Sequence, residues 1–333
     1  MKKIISFLLV LLLVSTCLID KIKAQDEPVT IGFILASTFN DRWNKDRDYF
    51  VEKFEEFGGK VIVVDCFDQV DNQVKAAKDM VKQGVDGIVI VAIDAVASAP
   101  AVDVAHEAGI PVIAYDRIIL NAPIDYYVSF NSVTVGEQMT NAVIKKLTKG
   151  NILYIGGPAE DYNSKLIRQG VFKVLDPLKN NYSVKSIQTT TWNQMDSYLA
   201  LQDFLTNEEK LPDAIICAAD VLVRGVIDVL LENDALGKVI LTGQDAELDI
   251  CRMIIRDEVE MTVYKPIEKL GDIAAKMMWN AIKGNDVETN DSFTIEGKDI
   301  PSYLLTPIVV NKDNIDQTII EDGYYTKEQI YSK

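Results

Sequence analysis

Residues 111–117 read PVIAYDR. Pro111 to Tyr115 has the composition of a short buried strand, and it ends on an acid and a base side by side, Asp116 and Arg117. The arrangement returns further along the chain. DAIICAAD ends at Asp220, KVILTGQD at Asp245 and MTVYK at Lys265. A single polar strand end is the ordinary result of a strand leaving a core. Four of them, each followed by a helical pattern, point to a shared polar site.

Working outward, VTIGFIL, KVIVVDC, GIVIVAI, PVIAYD and YYVSF read as strands, and helical patterns lie between them. RDYFVEKFEEFG sets Phe50, Phe54 and Phe57 on one face and closes on Gly58, and NQVKAAKDMVKQG behaves likewise. Uninterrupted apolar strands separated by helices mean a parallel sheet covered on both faces. A second set follows. NILYIGG, SVKSIQTTT, DAIICAAD and KVILTGQD are strands, and VLVRGVIDVLLEN and ELDICRMIIRD are helices. The expected fold is α/β, with two doubly wound parallel-sheet lobes and a boundary near Phe130. The assignment is 29–130 plus 266–298 for the first lobe, and 131–265 plus 299–333 for the second. No Pro- or Gly-rich linker separates them, so short crossing segments are expected to act as hinges. Ligands of open α/β sheets sit beyond the carboxyl ends of the strands. Two lobes facing each other there enclose a cleft, and the strand-end charges point into it.

Composition removes several classes of function. A net charge of −16 over 333 residues leaves no basic face for nucleic acid. The N-terminal 1–28 has a signal-peptide or membrane-anchor layout, with Lys2 and Lys3 before an apolar run from Ile4 to Ile19. Three outcomes remain open: cleavage after Ala24, lipid attachment at Cys17, or an uncleaved anchor. Each places the protein in the periplasm or on the outer face of the cytoplasmic membrane. Cys66, Cys217 and Cys251 match no zinc spacing and read as small buried hydrophobes. His106, the one histidine, lies in a helical stretch and reads as a surface or packing residue. No G-x-G-x-x-G follows the first strand and no G-x-S-x-G is present. Two cleft carboxylates could serve a glycosidase. Asp116 is a poor general acid, however, because Arg117 beside it holds it ionised.

A cleft lined by carboxylates and cations suits a sugar, whose hydroxyls both donate and accept. The apolar faces of a sugar stack on aromatic rings. Trp43 in NDRWNKDRD and Trp192 in TTTWNQMDS have polar flanks that fit a stacking platform, with half-buried packing as the alternative. Trp279, in AAKMMWNAI, reads as a packing residue.

With RWNKDRD, AYDR, YVSFN, VGE, GQDA and MTVYKP in this order, the chain resembles the periplasmic sugar-binding proteins of the ribose-binding type, and among them the D-xylose-binding proteins of bacterial importers. The likeness runs from Val29 to about residue 310. It implies a type I periplasmic binding protein fold, no enzymatic activity, no cofactor and no metal. It also implies closure on D-xylose or a related monosaccharide, with an importer permease or a sensor kinase of the membrane as partner. By motif it implies Arg42, Trp43 and Lys45 as contacts from the first lobe, and Asp116 and Arg117 as the central pair. It adds Asp161 and Asn163 from EDYN, Trp192 facing Trp43 across the sugar ring, Asp220, Asp245 and Lys265. One position departs from the pattern: Ala219 stands where the family usually has Asn.

Overall fold

The computed structural model describes residues 28–332 apart from 40, 209 and 296. The leader with Cys17 and Ala24 lies outside the described residues. Among those described, no helix is long and apolar enough to cross a membrane.

Two sheets organise the chain. The first comprises β1 (Thr30–Leu35), β2 (Lys60–Asp65), β3 (Gly87–Ile90), β4 (Val112–Tyr115), β5 (Tyr126–Phe130), β11 (Asp291–Ile295) and β12 (Lys298–Leu305), in the order β11-β12-β5-β4-β3-β1-β2. The second comprises β6 (Gly150–Gly156), β7 (Tyr182–Gln188), β8 (Ala214–Cys217), β9 (Ile240–Gln244), β10 (Met261–Tyr264) and β13 (Ile308–Val310), in the order β13-β10-β9-β8-β6-β7. Pairing is parallel except at β11–β12 and β10–β13. Every residue of β3, β4, β8 and β10 is buried, as a central strand covered on both faces requires.

Helices α1 (Asp41–Glu56), α2 (Val70–Gln83), α3 (Ala99–Glu107) and α9 (Ile267–Lys283) cover the first sheet. Phe50 and Phe54 of α1 are fully buried, and the outer ring, Phe57, packs on Trp279 of α9. Helices α4 (Ser132–Lys146), α5 (Tyr162–Leu175), α6 (Gln194–Glu208), α7 (Asp220–Glu232) and α8 (Leu248–Ile255) surround the second sheet. A short last helix, α10 (Lys327–Tyr331), returns to α8, where Arg252 donates to the Gln329 carbonyl at 2.7 Å. Cys66, Cys217 and Cys251 are buried free thiols. His106 pairs with Asp125 at 2.9 Å, at the amino-terminal ends of β4 and β5.

The chain passes between the sheets at Asn131, at Lys265–Pro266 and at Thr306–Pro307. The last of these corrects the expected assignment. Residues 299–305 belong to the first sheet, because β12 pairs in parallel with β5 from Ser302–Tyr127 to Leu305–Phe130. The hairpin of β11 and β12 was not expected either. It is polar at the sheet edge and carries Pro301, which donates nothing to a ladder, so it lacks the signature of a buried strand.

Candidate functional site

The carboxyl ends of β1, β4, β6, β9 and β10 meet between the lobes. At the end of β4 the backbone turns left-handed at Asp116, with φ +59°. A residue with a Cβ holds that conformation only when its surroundings fix it. Here the Asp116 N–H donates to the Val128 carbonyl at 2.8 Å. The Asp116 carbonyl accepts from Ser129 Oγ at 2.8 Å and from Asn163 Nδ2 at 3.0 Å. Asn163 stands at the start of α5 in the second lobe, so this lock spans the cleft.

The turned Asp116 carboxylate meets Arg42, not its neighbour Arg117. Arg42 Nη2 donates to Asp116 Oδ1 at 2.7 Å. The same guanidinium lies 3.3 Å from Asp46 and 3.6 Å from Asp245 of the second lobe. Burial opposes its charge, yet Asp116, Asp46 and Asp245 together raise the Arg42 pKa well above its ordinary value. Burial likewise disfavours the Asp116 anion, but Arg42, Lys265 and Arg117 outweigh it and hold the carboxyl below the usual range. Asp116 is therefore ionised, as the sequence suggested, with Arg42 as the chief cause.

Arg117 points the other way. Its Nε lies 2.9 Å from Asp161 Oδ2, across the cleft. Asp161 caps α5, where Oδ1 accepts from the Asn163 N–H at 3.0 Å, and Oδ2 also accepts from Trp192 Nε1 at 3.0 Å. Arg117 lies over the Trp43 ring at 5.3 Å, and Arg42 lies over it at 4.7 Å. The two tryptophans thus stand at the ends of a chain of contacts running Trp43, Arg117, Asp161, Trp192. Trp43 is 6% exposed and packs into the first-lobe core, whereas Trp192 is half-buried. The indole of Trp192 lies against Gly157, where an added Cβ would fall 2.1 Å from the ring. Gly157, just past the end of β6, thus serves as the platform for Trp192.

Lys265, at the second crossing, lies 2.8 Å from Asp245. Lys45 sits over the rings of Tyr324 and Tyr325 at 4.1 and 4.7 Å.

Asp220 is a correction. It is 0% exposed and does not face the cleft. As the first residue of α7 it turns inward beneath Gly243, where a Cβ would fall 2.2 Å from its Oδ1. It pairs with Thr262 Oγ1 at 2.9 Å and accepts from the Glu247 N–H at 2.9 Å. Thr262 Oγ1 also accepts from the Ala246 N–H at 3.2 Å. Asp245 and Ala246 have φ of +100° and +53°, so this buried pair braces the turn that presents Asp245. Ala219, just before it, gives α7 no side-chain cap. Burial first, and Glu247 next, push the Asp220 carboxyl well above its ordinary pKa.

Three participants escaped the sequence reading. Asp46 is fully buried and accepts from Tyr115 Oη at 2.5 Å. Its signal was the four-residue step from Arg42 on one helix face. Tyr324 and Tyr325 arrive from the C-terminal segment, and only their tandem occurrence marked them.

The site is polar and is built from side chains of both lobes. It offers alternating carboxylates and cations from both lobes, with two indoles beside them. Residues 31–286 match the periplasmic binding protein domain. The D-xylose-binding periplasmic protein of Haemophilus influenzae is 36% identical over 327 residues, covering 96% of this chain and 98% of its own length. The D-xylose-binding periplasmic protein of Escherichia coli is 34% identical over 325 residues, covering 97% and 98%. A solved carbohydrate transporter solute binding protein from Chloroflexus aurantiacus, in complex with D-glucose, superposes with a TM-score of 0.84 at 24% identity, covering 91% of this chain and 98% of its own. That likeness speaks to the fold, two lobes of the type I arrangement. The chain belongs to the periplasmic binding protein family, as a binding protein and not an enzyme.

Proposed function

We propose that the protein is an extracytoplasmic receptor that closes on a monosaccharide, D-xylose, and presents it to an integral membrane importer. The observation that carries this reading is the network of Arg42, Asp116, Arg117, Asp161, Asp245 and Lys265, drawn from both lobes at the strand ends. Such a set can bond several hydroxyls at once, each carboxylate accepting and each cation donating. A sugar exchanging places with these internal pairs ties the lobes together, and that is a hinge closure a membrane partner can read. The full-length likeness to two D-xylose-binding proteins supports the pentose. The apolar leader at 4–19 supports export, and retention of that leader would hold the receptor beside its importer at high effective concentration.

Titration calorimetry against pentoses and hexoses tests the sugar. D-xylose is expected to bind at about micromolar strength, near −8 kcal/mol. D-glucose is expected to bind more weakly, because its exocyclic hydroxymethyl group needs room beside the indoles. Tighter binding of ribose or glucose would reassign the sugar. Absence of binding to every member of the panel would reject the receptor reading.

Arg117→Ala is expected to weaken xylose binding about ten- to a hundredfold, the worth of a hydrogen bond to a charged group. The change removes one donor and strips Asp161, a 5% exposed acid, of its cation. Trp279→Phe, remote from the cleft, serves as control and should titrate like the parent. An Arg117→Ala protein with parental affinity would place the ligand elsewhere.

A further inference from the structure

Among the described residues the lobes meet across the cleft in three regions. At its centre Arg42 approaches Asp245. On one side the segment after β6 reaches the first lobe, where the Ala95 N–H donates to the Glu160 carbonyl at 2.9 Å, Arg117 meets Asp161, and Tyr162 packs on Phe293 at 6.0 Å. The third contact lies toward the β13 edge of the second sheet and is made by the C-terminal segment. That segment is fastened to the second lobe. Ile315, Ile319 and Ile330 are buried with Ala246, Cys251 and Tyr264, and Arg252 holds Gln329 and Ser332. Tyr324 packs on Tyr264 at 5.1 Å and on Tyr325 at 4.6 Å. What the pair presents to the first lobe is two ring faces, and on them sits the ammonium of Lys45 from α1.

We propose that Lys45, Tyr324 and Tyr325 form a second clasp, which fastens the closed lobes from the β13 edge and sets how long a bound sugar is retained. The physical basis is the attraction of a cation to aromatic faces, which strengthens as water is excluded. Both rings belong to one lobe and the cation to the other, so the contact exists only when the cleft is shut. Opening exposes the ammonium and both rings to water. The contact therefore acts on the opening step and leaves encounter with the sugar unaffected. It also gives the C-terminal segment, which lies past the last crossing, a part in the binding cycle. Arg42, Asp46 and Asp245 lie near enough to Tyr324 to act on it electrostatically, so the clasp borders the site directly.

The ligand arm of the test rests on the receptor reading above, and the second arm does not. In the first arm, stopped-flow tryptophan fluorescence follows release of D-xylose. Tyr324→Leu with Tyr325→Leu is expected to speed release about tenfold with association little changed. Tyr324→Phe with Tyr325→Phe keeps both ring faces and is expected to restore parental release. In the second arm, spin labels on Lys78→Cys and Lys179→Cys, exposed on the two lobes, report the distance between lobes without sugar. The Leu pair is expected to move the population toward longer distances. Lys45→Met, which leaves the tyrosine packing intact, is expected to do the same. Unchanged distance distributions in both variants would overturn the clasp. If the parent binds no sugar, the receptor reading falls and the distance arm alone decides the clasp.

Discussion

Arg42→Met is expected to cost about 3–5 kcal/mol of stability at pH 7, the penalty for stripping the partner from a buried charge. The cause is specific. One guanidinium, 11% exposed, serves Asp46, Asp116 and Asp245, and the first two are buried. Methionine fills the space and supplies no charge. Asp116 then loses the chief cation holding it below the usual carboxylate range, while Lys265 and Arg117 remain. Asp46, already pushed up to about 6 by burial against the pull of Arg42, rises further. An acid whose pKa is raised in the folded state favours folding at low pH, so the penalty should shrink between pH 7 and pH 5. Urea unfolding at the two pH values reads both effects. Arg42→Lys should fall between, since an ammonium cannot fork among three carboxylates. A variant within about 1 kcal/mol of the parent at pH 7 would mean that the acids are not mutually buried as described.

The strand ends were legible because an apolar run that stops on a charge is a one-dimensional signal. Asp116, Arg117, Asp245 and Lys265 all lie where that signal put them, between the lobes. The direction of each side chain was not legible. Asp116 and Arg117 are neighbours in sequence and were expected to pair. Successive side chains at a strand end diverge, so Asp116 meets Arg42 and Arg117 meets Asp161. Asp220 fails for the same kind of reason. It carries the strand-end signal, but it opens α7, and the helix start rotates it under Gly243. The polar hairpin at 291–305 lacks apolar alternation, so the lobe boundary was placed at residue 298 instead of after Leu305. RWNKDRD was read for Arg42, Trp43 and Lys45, and nothing in its composition shows that Asp46 within it is buried.

The protein is expected to be less stable at pH 8 than at pH 5.5, contrary to the behaviour of a fold held by ionised salt bridges alone. Three acids set the direction. Burial lifts Asp46 to about 6 and Glu247 to about 7, and it lifts Asp220 well above its ordinary value, with Glu247 adding to the effect. Each is an acid whose folded pKa exceeds its unfolded value of about 4. Its stabilising contribution is complete below that unfolded value and is lost as pH rises through the folded one. For Asp46 and Glu247 the loss runs from about pH 4 to pH 7, and Asp220 adds to it in the same direction. For Asp46 and Glu247 the rise above the ordinary carboxylate value corresponds to roughly 3 kcal/mol each as an upper figure. Asp116 works in the opposite sense. Its lowered pKa contributes above pH 4 and vanishes in stronger acid, so the optimum should lie in mildly acid solution. Thermal melts should show Tm falling by several degrees from pH 5.5 to pH 8, at roughly 2–4 °C per kcal/mol. Asp220→Asn supplies the decisive comparison. An amide keeps an acceptor for the Glu247 N–H and a partner for Thr262, but it does not titrate. Its Tm should depend less on pH and should exceed that of the parent at pH 8. Equal slopes for the two proteins would show that Asp220 does not carry the proton, and a parental Tm that rises toward pH 8 would remove the basis for all three acids.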